Sequence, residues 1–301
     1  MIKLAKLVRD KEIDILHCQG INCVILSAFA KLYYPKVKIL NTVHDVGNYP
    51  FYSNAKIALQ NIFLDKTIAI SHVVEKEILK RIKDKKKVTK IYNAVDISRF
   101  NVSTKNFNET EVVLGNVARL FPDKKGQDVF VKAIAEYKEN GKCSNVRCNF
   151  AGAVFKGQEK VFEELQEFVD QHQLQQNIRF LGNVKDIPGF LNGIDIFVLP
   201  SRYEGFGIAL IEALACGIPV IASDIDGPRE IFELAKRDGV DIGYLAISGD
   251  SSDFAEKISD CIDNYGIYDK QRLRKFVENH FSMDVMVDEH LTLYKSIYEK
   301  R

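Results

Sequence analysis

The sequence predicts an α/β protein of two domains, each built around a parallel sheet. Short runs rich in β-branched and aromatic residues alternate with longer amphipathic runs, which is the pattern of repeated βα units. The chain has 301 residues and 46% hydrophobic content, so it can bury the cores of two domains. A polar segment rich in Asn, Ser and Thr, residues 96–111, separates two strand-like runs and is the best candidate for a linker.

The strands are predicted where short apolar runs lie between turn residues. In chain order they cover residues 13–18, 38–44, 66–71, 88–93, 112–118, 147–152, 178–182, 194–200 and 219–223. Amphipathic helices fill the gaps, with the clearest helical patterns at 127–140, 158–172, 207–216, 251–264, 269–279 and 283–299. We therefore place the first domain at 1–105, the second at 106–282 and a final helix within 283–301. That helix carries apolar residues at helical spacing, which need a surface to pack against: Val287, Leu291, Tyr294 and Ile297.

The charge balance limits the classes of partner. Lys and Arg together number 42 against 41 Asp and Glu, so a net charge of +1 gives no general reason to expect nucleic acid binding. No apolar run is long enough to span a bilayer and no signal peptide is recognisable, so we expect a cytoplasmic protein. The run 80–90, KRIKDKKKVTK, has seven basic residues and one acidic residue. A solvated helix end is the favoured interpretation, and contact with an anionic membrane surface is the alternative.

No metal site is predicted. The six cysteines are scattered and do not form a disulfide framework. Cys18 and Cys23, like Cys143 and Cys148, are spaced more widely than most zinc ligands, so we expect small buried apolar residues instead. Carboxylates that suggest a metal site are better explained as solvated loop residues: Asp123, Asp195, Asp224 and Asp226.

A glycine-containing turn between two buried strands is the best candidate for a ligand site. The stretch SRYEGFGIALIE, residues 201–212, follows the apolar run IDIFVLP and leads into a helix that ends at Gly217. Ligands of open α/β sheets bind at the carboxyl ends of strands, where such loops emerge. Gly205 and Gly207 allow backbone N–H groups to approach an anion, and the helix start adds positive charge. A phosphate group is therefore the expected ligand.

Two nucleotide-binding motifs are excluded or disfavoured at this turn. The run GFGIAL lacks the third glycine of the dinucleotide fingerprint, because Leu210 occupies that position. No P-loop pattern occurs anywhere in the chain. A dinucleotide-dependent oxidoreductase is therefore a distant possibility.

The charged residues around the turn point to a more specific ligand. Glu204 lies in the loop, and Glu212 lies ~7–8 Å along the helix from Gly207 at ~1.5 Å rise per residue. Two carboxylates on either side of a phosphate suit a diphosphate that carries a hydroxyl-bearing ring at each end, as in a nucleotide sugar. Arg119 and Lys125, after the first strand of the second domain, supply cations for the diphosphate. Without the glycine loop, these residues would be interpreted as ordinary solvated charges.

These residues also carry a resemblance to a known family. SRYEGFGIALIEALACGIPVIASDIDGPRE resembles the E-x7-E region of the retaining, GT-B-fold glycosyltransferases of family 4 (glycosyl transferases group 1). ARLFPDKKG resembles that family's R-x5-K-G loop, and the weaker landmarks TVHD, IAISHVVEKEI and IYNAVDISRF follow the expected order. The resemblance covers nearly the whole chain.

The resemblance implies two Rossmann-like domains that face a cleft, with the final helix packed on the first domain. It implies a metal-independent retaining enzyme that transfers a hexose from a nucleoside-diphosphate sugar to a glycan or lipid-linked acceptor, in surface polysaccharide biosynthesis. Glu204 and His44 are the implied catalytic residues, and both would contact or face the donor. The implied substrate-binding residues are Gly205, Phe206 and Gly207 for sugar hydroxyls and phosphate, Glu212 for the ribose, and Arg119 and Lys125 for the diphosphate. The nucleotide sugar is a co-substrate, and no cofactor is implied.

The sequence also departs from the family pattern. Family members usually have roughly three further βα units before the strand DILHC, so the first domain is expected to be incomplete. Ala94 and Asp226 replace glycines that the family favours. The alternative function is therefore a non-catalytic remnant or half-enzyme that only binds nucleotide sugar.

Overall fold

The computed structural model describes residues 1–44, 49–139, 141 and 146–299. The chain divides into two compact units, one formed by Met1–Ala94 with the C-terminal residues from Met283, the other by Val95–Ser282. In both units every paired strand is parallel to its neighbours. The predicted fold class, α/β with two parallel sheets, is confirmed.

The first unit contains a four-stranded sheet of order β1-β2-β3-β4. Helices and strands alternate: α1 (Ile2–Asp10), β1 (Ile15–Cys18), α2 (Ile21–Tyr33), β2 (Lys38–Val43), α3 (Asn54–Phe63), β3 (Lys66–Ala69), α4 (His72–Leu79) and β4 (Val88–Lys90). Val24 of α2 and Ile39 of β2 belong to one core cluster together with Leu64. Ala5 and Val8 of α1 belong to a second cluster, because they form the buried face of an amphipathic helix.

The second unit contains a six-stranded sheet of order β10-β9-β8-β5-β6-β7. Its elements are β5 (Val112–Val117), α5 (Pro122–Lys125), α6 (Gln127–Glu139), β6 (Val146–Ala151), α7 (Glu159–Gln171), β7 (Ile178–Phe180), α8 (Ile187–Asn192), β8 (Ile196–Leu199), α9 (Ile208–Ala215), β9 (Val220–Ser223), α10 (Asp226–Arg237), β10 (Gly243–Ala246), α11 (Ser251–Asp263) and α12 (Lys270–Phe281). Every residue of β8 and β9 is buried, as in parallel strands that helices cover on both faces.

The last helix, α13 (Met283–Tyr298), belongs to the first unit. Ile297 is buried in a cluster with Leu40 and Ile68, and Tyr294 packs against that cluster. The Tyr294 hydroxyl also lies 2.6 Å from Nδ1 of His17 on β1. Val287 and Leu291, whose spacing suggested burial, are 44% and 47% exposed. Among the described residues, no helix combines the length and apolar character that membrane crossing requires.

The segment 96–111, predicted as a linker, packs on the second unit instead. The Ser103 amide donates to the Cys216 carbonyl at 2.8 Å, and Lys105 forms an ion pair with the buried Asp195. Phe107 stacks on Tyr265 with ring centroids 3.7 Å apart. Most polar residues of the segment are exposed, while Ser103, Lys105 and Phe107 attach it to the second unit.

Candidate functional site

The candidate site lies where the strand order of the six-stranded sheet reverses. From β5 the chain continues to β6 and β7 on one side, whereas β8 leads to β9 and β10 on the other. The loops that follow β5 and β8 therefore lead to opposite sides of the sheet from its carboxyl edge. In open α/β sheets, ligands usually bind at such a reversal of the strand order.

The loop after β5 presents the two predicted cations. The exposed guanidinium of Arg119 lies over the Phe155 ring, 4.9 Å from its centroid, and this ring stacks in parallel on Phe121. The Arg119 carbonyl accepts a hydrogen bond of 3.0 Å from the buried Gln127 side chain. Lys125 ends the short helix α5 and is partly buried. Aromatic stacking and a backbone hydrogen bond thus hold Arg119, and Lys125 ends a short helix that follows on the same loop.

The loop after β8 is anchored through Phe206. Its side chain is 1% exposed and packs edge-on against Phe281, with ring centroids 5.4 Å apart. Gly207 then adopts φ of +114° and starts α9, a conformation that favours glycine. Within the described residues, no side chain caps the start of this helix. The backbone N–H groups and the positive end of the helix dipole are therefore left to stabilise an anion.

The structure brings two predicted residues from different loops into direct contact. Lys125 Nζ donates to Glu204 Oε2 at 2.8 Å, and the two side chains are 24% and 19% exposed. The carboxylate thus compensates the lysine charge in a partly desolvated position. An incoming diphosphate can replace this carboxylate as the partner of Lys125, which leaves Glu204 able to accept from hydroxyl groups.

A second ion pair joins the loop after β8 to the start of α6. Arg202 Nη1 and Nη2 donate to the two carboxylate oxygens of Asp128 at 2.7 and 2.8 Å. Arg202 Nη1 also donates to the Pro122 carbonyl at 2.8 Å, and its backbone amide donates to the Lys124 carbonyl at 2.9 Å. The hydrogen bond from Asp128 raises the pKa of the Arg202 guanidinium, which stays charged.

Two glycines allow the loops to approach one another closely. Gly126 has φ of +68°, and a Cβ there would lie 1.8 Å from the Pro200 carbonyl oxygen. A Cβ on Gly227, at the start of α10, would lie 2.6 Å from the Glu204 carbonyl oxygen and 2.9 Å from the Phe206 nitrogen. Any side chain at either position would displace the loop that carries Glu204.

Glu212 lies on α9 and is half-buried. Burial raises the pKa of its carboxyl group, and the positive charge of Arg99 acts in the opposite direction. A half-buried carboxylate gains from hydrogen-bond donors, such as the hydroxyl groups of a ribose.

His44 lies in the first unit, directly after β2. Its Nε2 is 2.6 Å from Gln19 Oε1, and both residues line a cavity of about 160 Å³ together with Asn41 and Thr42. Partial desolvation lowers the pKa of His44, so the neutral ring predominates at pH 7. This imidazole is a hydrogen-bond donor or acceptor there, and not a fixed cation.

The residues weighed as metal ligands have other surroundings. Asp195 lies after α8 and accepts from the Val113 amide at 2.8 Å, while Asp224 and Asp226 flank Arg229. Among the residues that the structure describes, no group of three or more side chains has the arrangement of a metal site. Cys18 and Cys148 are buried and Cys23 is exposed, contrary to its expected burial. Cys143 and Asp45, the last residue of the TVHD landmark, lie outside the described residues.

Sequence reasoning missed three residues that shape the site. Arg202 lies within the stretch SRYEGFGIALIE, two positions before Glu204, and Asp128 lies two positions beyond the R-x5-K-G loop. Their opposite charges were the available signal. The role of Gly227 depends on a contact between segments far apart in sequence, which no local pattern reveals.

Comparison with known proteins identifies relatives of both units. A sequence model of the family described as glycosyl transferases group 1 matches residues 98–282, and one described as glycosyltransferase family 4 matches residues 1–99. N-acetyl-alpha-D-glucosaminyl L-malate synthase of Bacillus anthracis is 24% identical over 98% of this chain and 78% of its own length. UDP-Gal:alpha-D-GlcNAc-diphosphoundecaprenol alpha-1,3-galactosyltransferase of Escherichia coli is 28% identical over 75% of this chain and 62% of its own length.

Solved structures share the fold. The crystal structure of the Anabaena protein HepE in complex with UDP has a TM-score of 0.85 and 21% identity, and the match covers 98% of this chain and 81% of HepE. A glycosyltransferase from Rickettsia africae has a TM-score of 0.86 and 23% identity, with 99% and 80% of the two chains covered. Sequence identities this low support a shared fold and do not identify a ligand.

Proposed function

Because the chain belongs to the family of glycosyl transferases group 1, we propose that it transfers a hexose from a nucleoside-diphosphate sugar to a glycan or lipid-linked acceptor. The new glycosidic bond forms on the face from which the diphosphate departs, so the configuration is retained. No metal or other cofactor takes part. The product belongs to a surface polysaccharide.

The contact between Lys125 and Glu204 carries this proposal. It places a cation for a diphosphate and a carboxylate for sugar hydroxyls 2.8 Å apart, beside the start of α9. A donor bound there presents phosphate oxygens to Lys125 and Arg119 and sugar hydroxyls to Glu204. HepE, crystallised with UDP, and the E. coli relative, named for a diphosphoundecaprenol acceptor, support this donor and this acceptor class.

The remaining predicted residues complete the proposed donor site. The backbone of Gly205, Phe206 and Gly207 binds the sugar hydroxyls and a phosphate group. Glu212 accepts hydrogen bonds from the ribose. His44, neutral at pH 7, acts on the sugar as a hydrogen-bonding group and not as a counter-ion.

Two measurements test the function. Calorimetric titration with UDP, GDP and ADP measures nucleotide binding, and incubation with the corresponding labelled sugar donors measures hydrolysis and transfer to a lipid-linked glycan. We expect both binding and turnover. Binding without turnover would favour the non-catalytic remnant, and an absence of binding would contradict the donor site.

The role of Glu212 leads to a distinct kinetic prediction. A carboxylate that holds the ribose acts equally in the ground state and the transition state, so Glu212→Gln should raise the donor KM more than it lowers kcat. We expect a KM increase of roughly 10-fold, equivalent to one weakened hydrogen bond to a charged group. Steady-state kinetics with varied donor measures both constants, and a fall confined to kcat would contradict the ribose role.

The basic run 80–90 is proposed to contact an anionic membrane surface, where a lipid-linked acceptor would lie. Lys83, Lys85 and Lys86 are exposed. Two exposed apolar side chains adjoin the same run, Phe51 at 85% and Ile62 at 70% exposure.

Hydrogen bonds attach both apolar residues to the basic run. Arg81 donates to the Tyr49 and Tyr52 carbonyls on either side of Phe51, and the Lys83 amide donates to Asn61 beside Ile62. Apolar residues within a basic border are typical of interfacial binding.

Charge reversal tests this surface. Lysines near an anionic membrane contribute about 1 kcal/mol each, so the triple variant Lys83→Glu, Lys85→Glu and Lys86→Glu should lower partitioning onto phosphatidylglycerol vesicles about 100-fold or more. Sedimentation with vesicles measures the partition coefficient, and pure phosphatidylcholine vesicles serve as the uncharged reference. The matched control reverses three exposed lysines of the second unit, in the variant with Lys160→Glu, Lys185→Glu and Lys236→Glu. Equal losses in both variants would show that net charge alone, and not this surface, decides binding.

A further inference from the structure

We infer that Arg202 and Asp128 form a positioning pair, which holds the loop after β8 against the start of α6, directly beyond the loop after β5, so that Glu204 stays in place when the donor engages Lys125. This inference rests on the proposed function and adds two residues to it. Neither residue is expected to touch the donor. Their effect acts through the backbone of the two loops.

The hydrogen bonds of the pair support this role. The guanidinium and carboxylate meet through two parallel bonds of 2.7 and 2.8 Å, a geometry that fixes both separation and orientation. The third bond, from Arg202 to the Pro122 carbonyl, ties the same side chain to the start of α5. Backbone amides of Arg202 and Tyr203 both donate to the Lys124 carbonyl, at 2.9 and 3.3 Å. Arg202 thus lies at the centre of the bonds between the loops.

The need for such a pair follows from the ion pair beside it. In the free protein, Lys125 and Glu204 also join the two loops. Donor binding removes that link, because the diphosphate takes Lys125 and the sugar takes Glu204. The loop with Glu204 would then be held to its neighbour by the backbone bonds and by the Arg202–Asp128 pair. The pair therefore matters most in the donor complex, when sugar alignment decides the rate.

A purely structural role would give a different pattern of effects. The side chains of Arg202 and Asp128 are 31% and 25% exposed, so solvent screens the pair in part and its contribution to global stability is expected to be modest even with bidentate geometry. Phe206 anchors its loop to the core independently of the pair. Loss of the pair should therefore loosen the alignment of Glu204 without unfolding the unit.

The test is a double-mutant cycle with Arg202→Met, Asp128→Asn and the combined variant. We expect each single change to lower kcat for transfer roughly 10- to 100-fold, because a misplacement of about 1 Å has effects of this size. Affinity for UDP, or for whichever of UDP, GDP and ADP the wild type binds, should stay within about threefold. The combined variant should be no slower than the slower single variant, since either change already breaks the pair. Arg202→Lys, which keeps one charged hydrogen bond, should recover part of the rate.

A matched control uses another ion pair of the same unit. Arg147 Nη1 lies 2.9 Å from Glu111, both side chains are about half exposed, and Arg147 lies on β6 away from the carboxyl edge of the sheet. Arg147→Met with Glu111→Gln should leave kcat and nucleotide affinity unchanged.

Three results would overturn the inference. They are wild-type kcat in both single variants, a combined loss equal to the product of the single losses, or a fall in nucleotide affinity and melting temperature that matches the fall in kcat. Failure of the proposed function is separate, because it would appear in the wild type as an absence of nucleotide binding and transfer.

Discussion

Replacing Lys125 with alanine is expected to lower the rate of sugar transfer roughly 30- to 1,000-fold at saturating donor, which corresponds to ~2–4 kcal/mol of transition-state stabilisation. The diphosphate gains negative charge as the glycosidic bond breaks. The ammonium group of Lys125 therefore binds the diphosphate more strongly in the transition state than in the ground state. The alanine variant also leaves Glu204, only 19% exposed, without its ion-pair partner. Arg119→Ala should cause a loss of the same order, through the same leaving group.

The kinetics of these variants distinguish leaving-group stabilisation from simple donor binding. If Lys125 and Arg119 act on the departing diphosphate, kcat falls even when donor saturates the enzyme. A higher KM with unchanged kcat would instead assign them to ground-state binding and contradict the leaving-group role. Lys132→Ala, a change at an exposed lysine on α6, is the control for loss of one positive charge and should keep the wild-type rate.

The alternation of strand and helix was predictable because each βα unit leaves its own local pattern. β8 is apolar at every position and β9 at three of four, and Gly217 follows α9 in the left-handed conformation that ends helices. β10 was missed, since this edge strand has four residues and only Ala246 is buried. α10 was missed because it opens with Gly227 and Pro228, which resemble a turn. The elements hardest to predict were thus a short edge strand with little burial and a helix that opens with turn residues.

The positions of the candidate residues were predictable where these residues lie within one motif. Glu204, Gly205 and Gly207 share a loop, and the cations follow the strand whose carboxyl end lies next to that loop. The sequence did not reveal that Lys125 would pair with Glu204, because the distance depends on how two loops pack. The same limit applies to Arg202 and Asp128, which are 74 positions apart in sequence. Local motifs identify candidate residues, and long-range packing decides their partners.

The close approach of these loops gives Gly126→Ala an expected effect comparable with that of Lys125→Ala. Alanine in a left-handed conformation costs about 1–2 kcal/mol, and this strain adds to a steric clash. The new Cβ would lie 1.8 Å from the Pro200 carbonyl oxygen, so the backbone before Glu204 must retreat. A shift of about 1 Å or more would separate Glu204 from Lys125, and rate losses of about 100-fold or more accompany displacements of this size.

Gly239→Ala separates the two causes, because this residue has φ of +66° and no atom within 4 Å of the added Cβ. Gly239→Ala should cause the same backbone strain. It should lower the melting temperature by the amount that this strain alone contributes in Gly126→Ala, while kcat for transfer stays at the wild-type value. In Gly126→Ala, the clash with Pro200 displaces the loop that carries Glu204, so kcat should fall. The difference in affinity between the nucleotide sugar and the bare nucleoside diphosphate should also become smaller. That difference reports the sugar contacts of Glu204 directly, since the nucleotide alone does not need them. Retention of kcat within about threefold in Gly126→Ala would contradict the requirement for close loop packing at the proposed donor site.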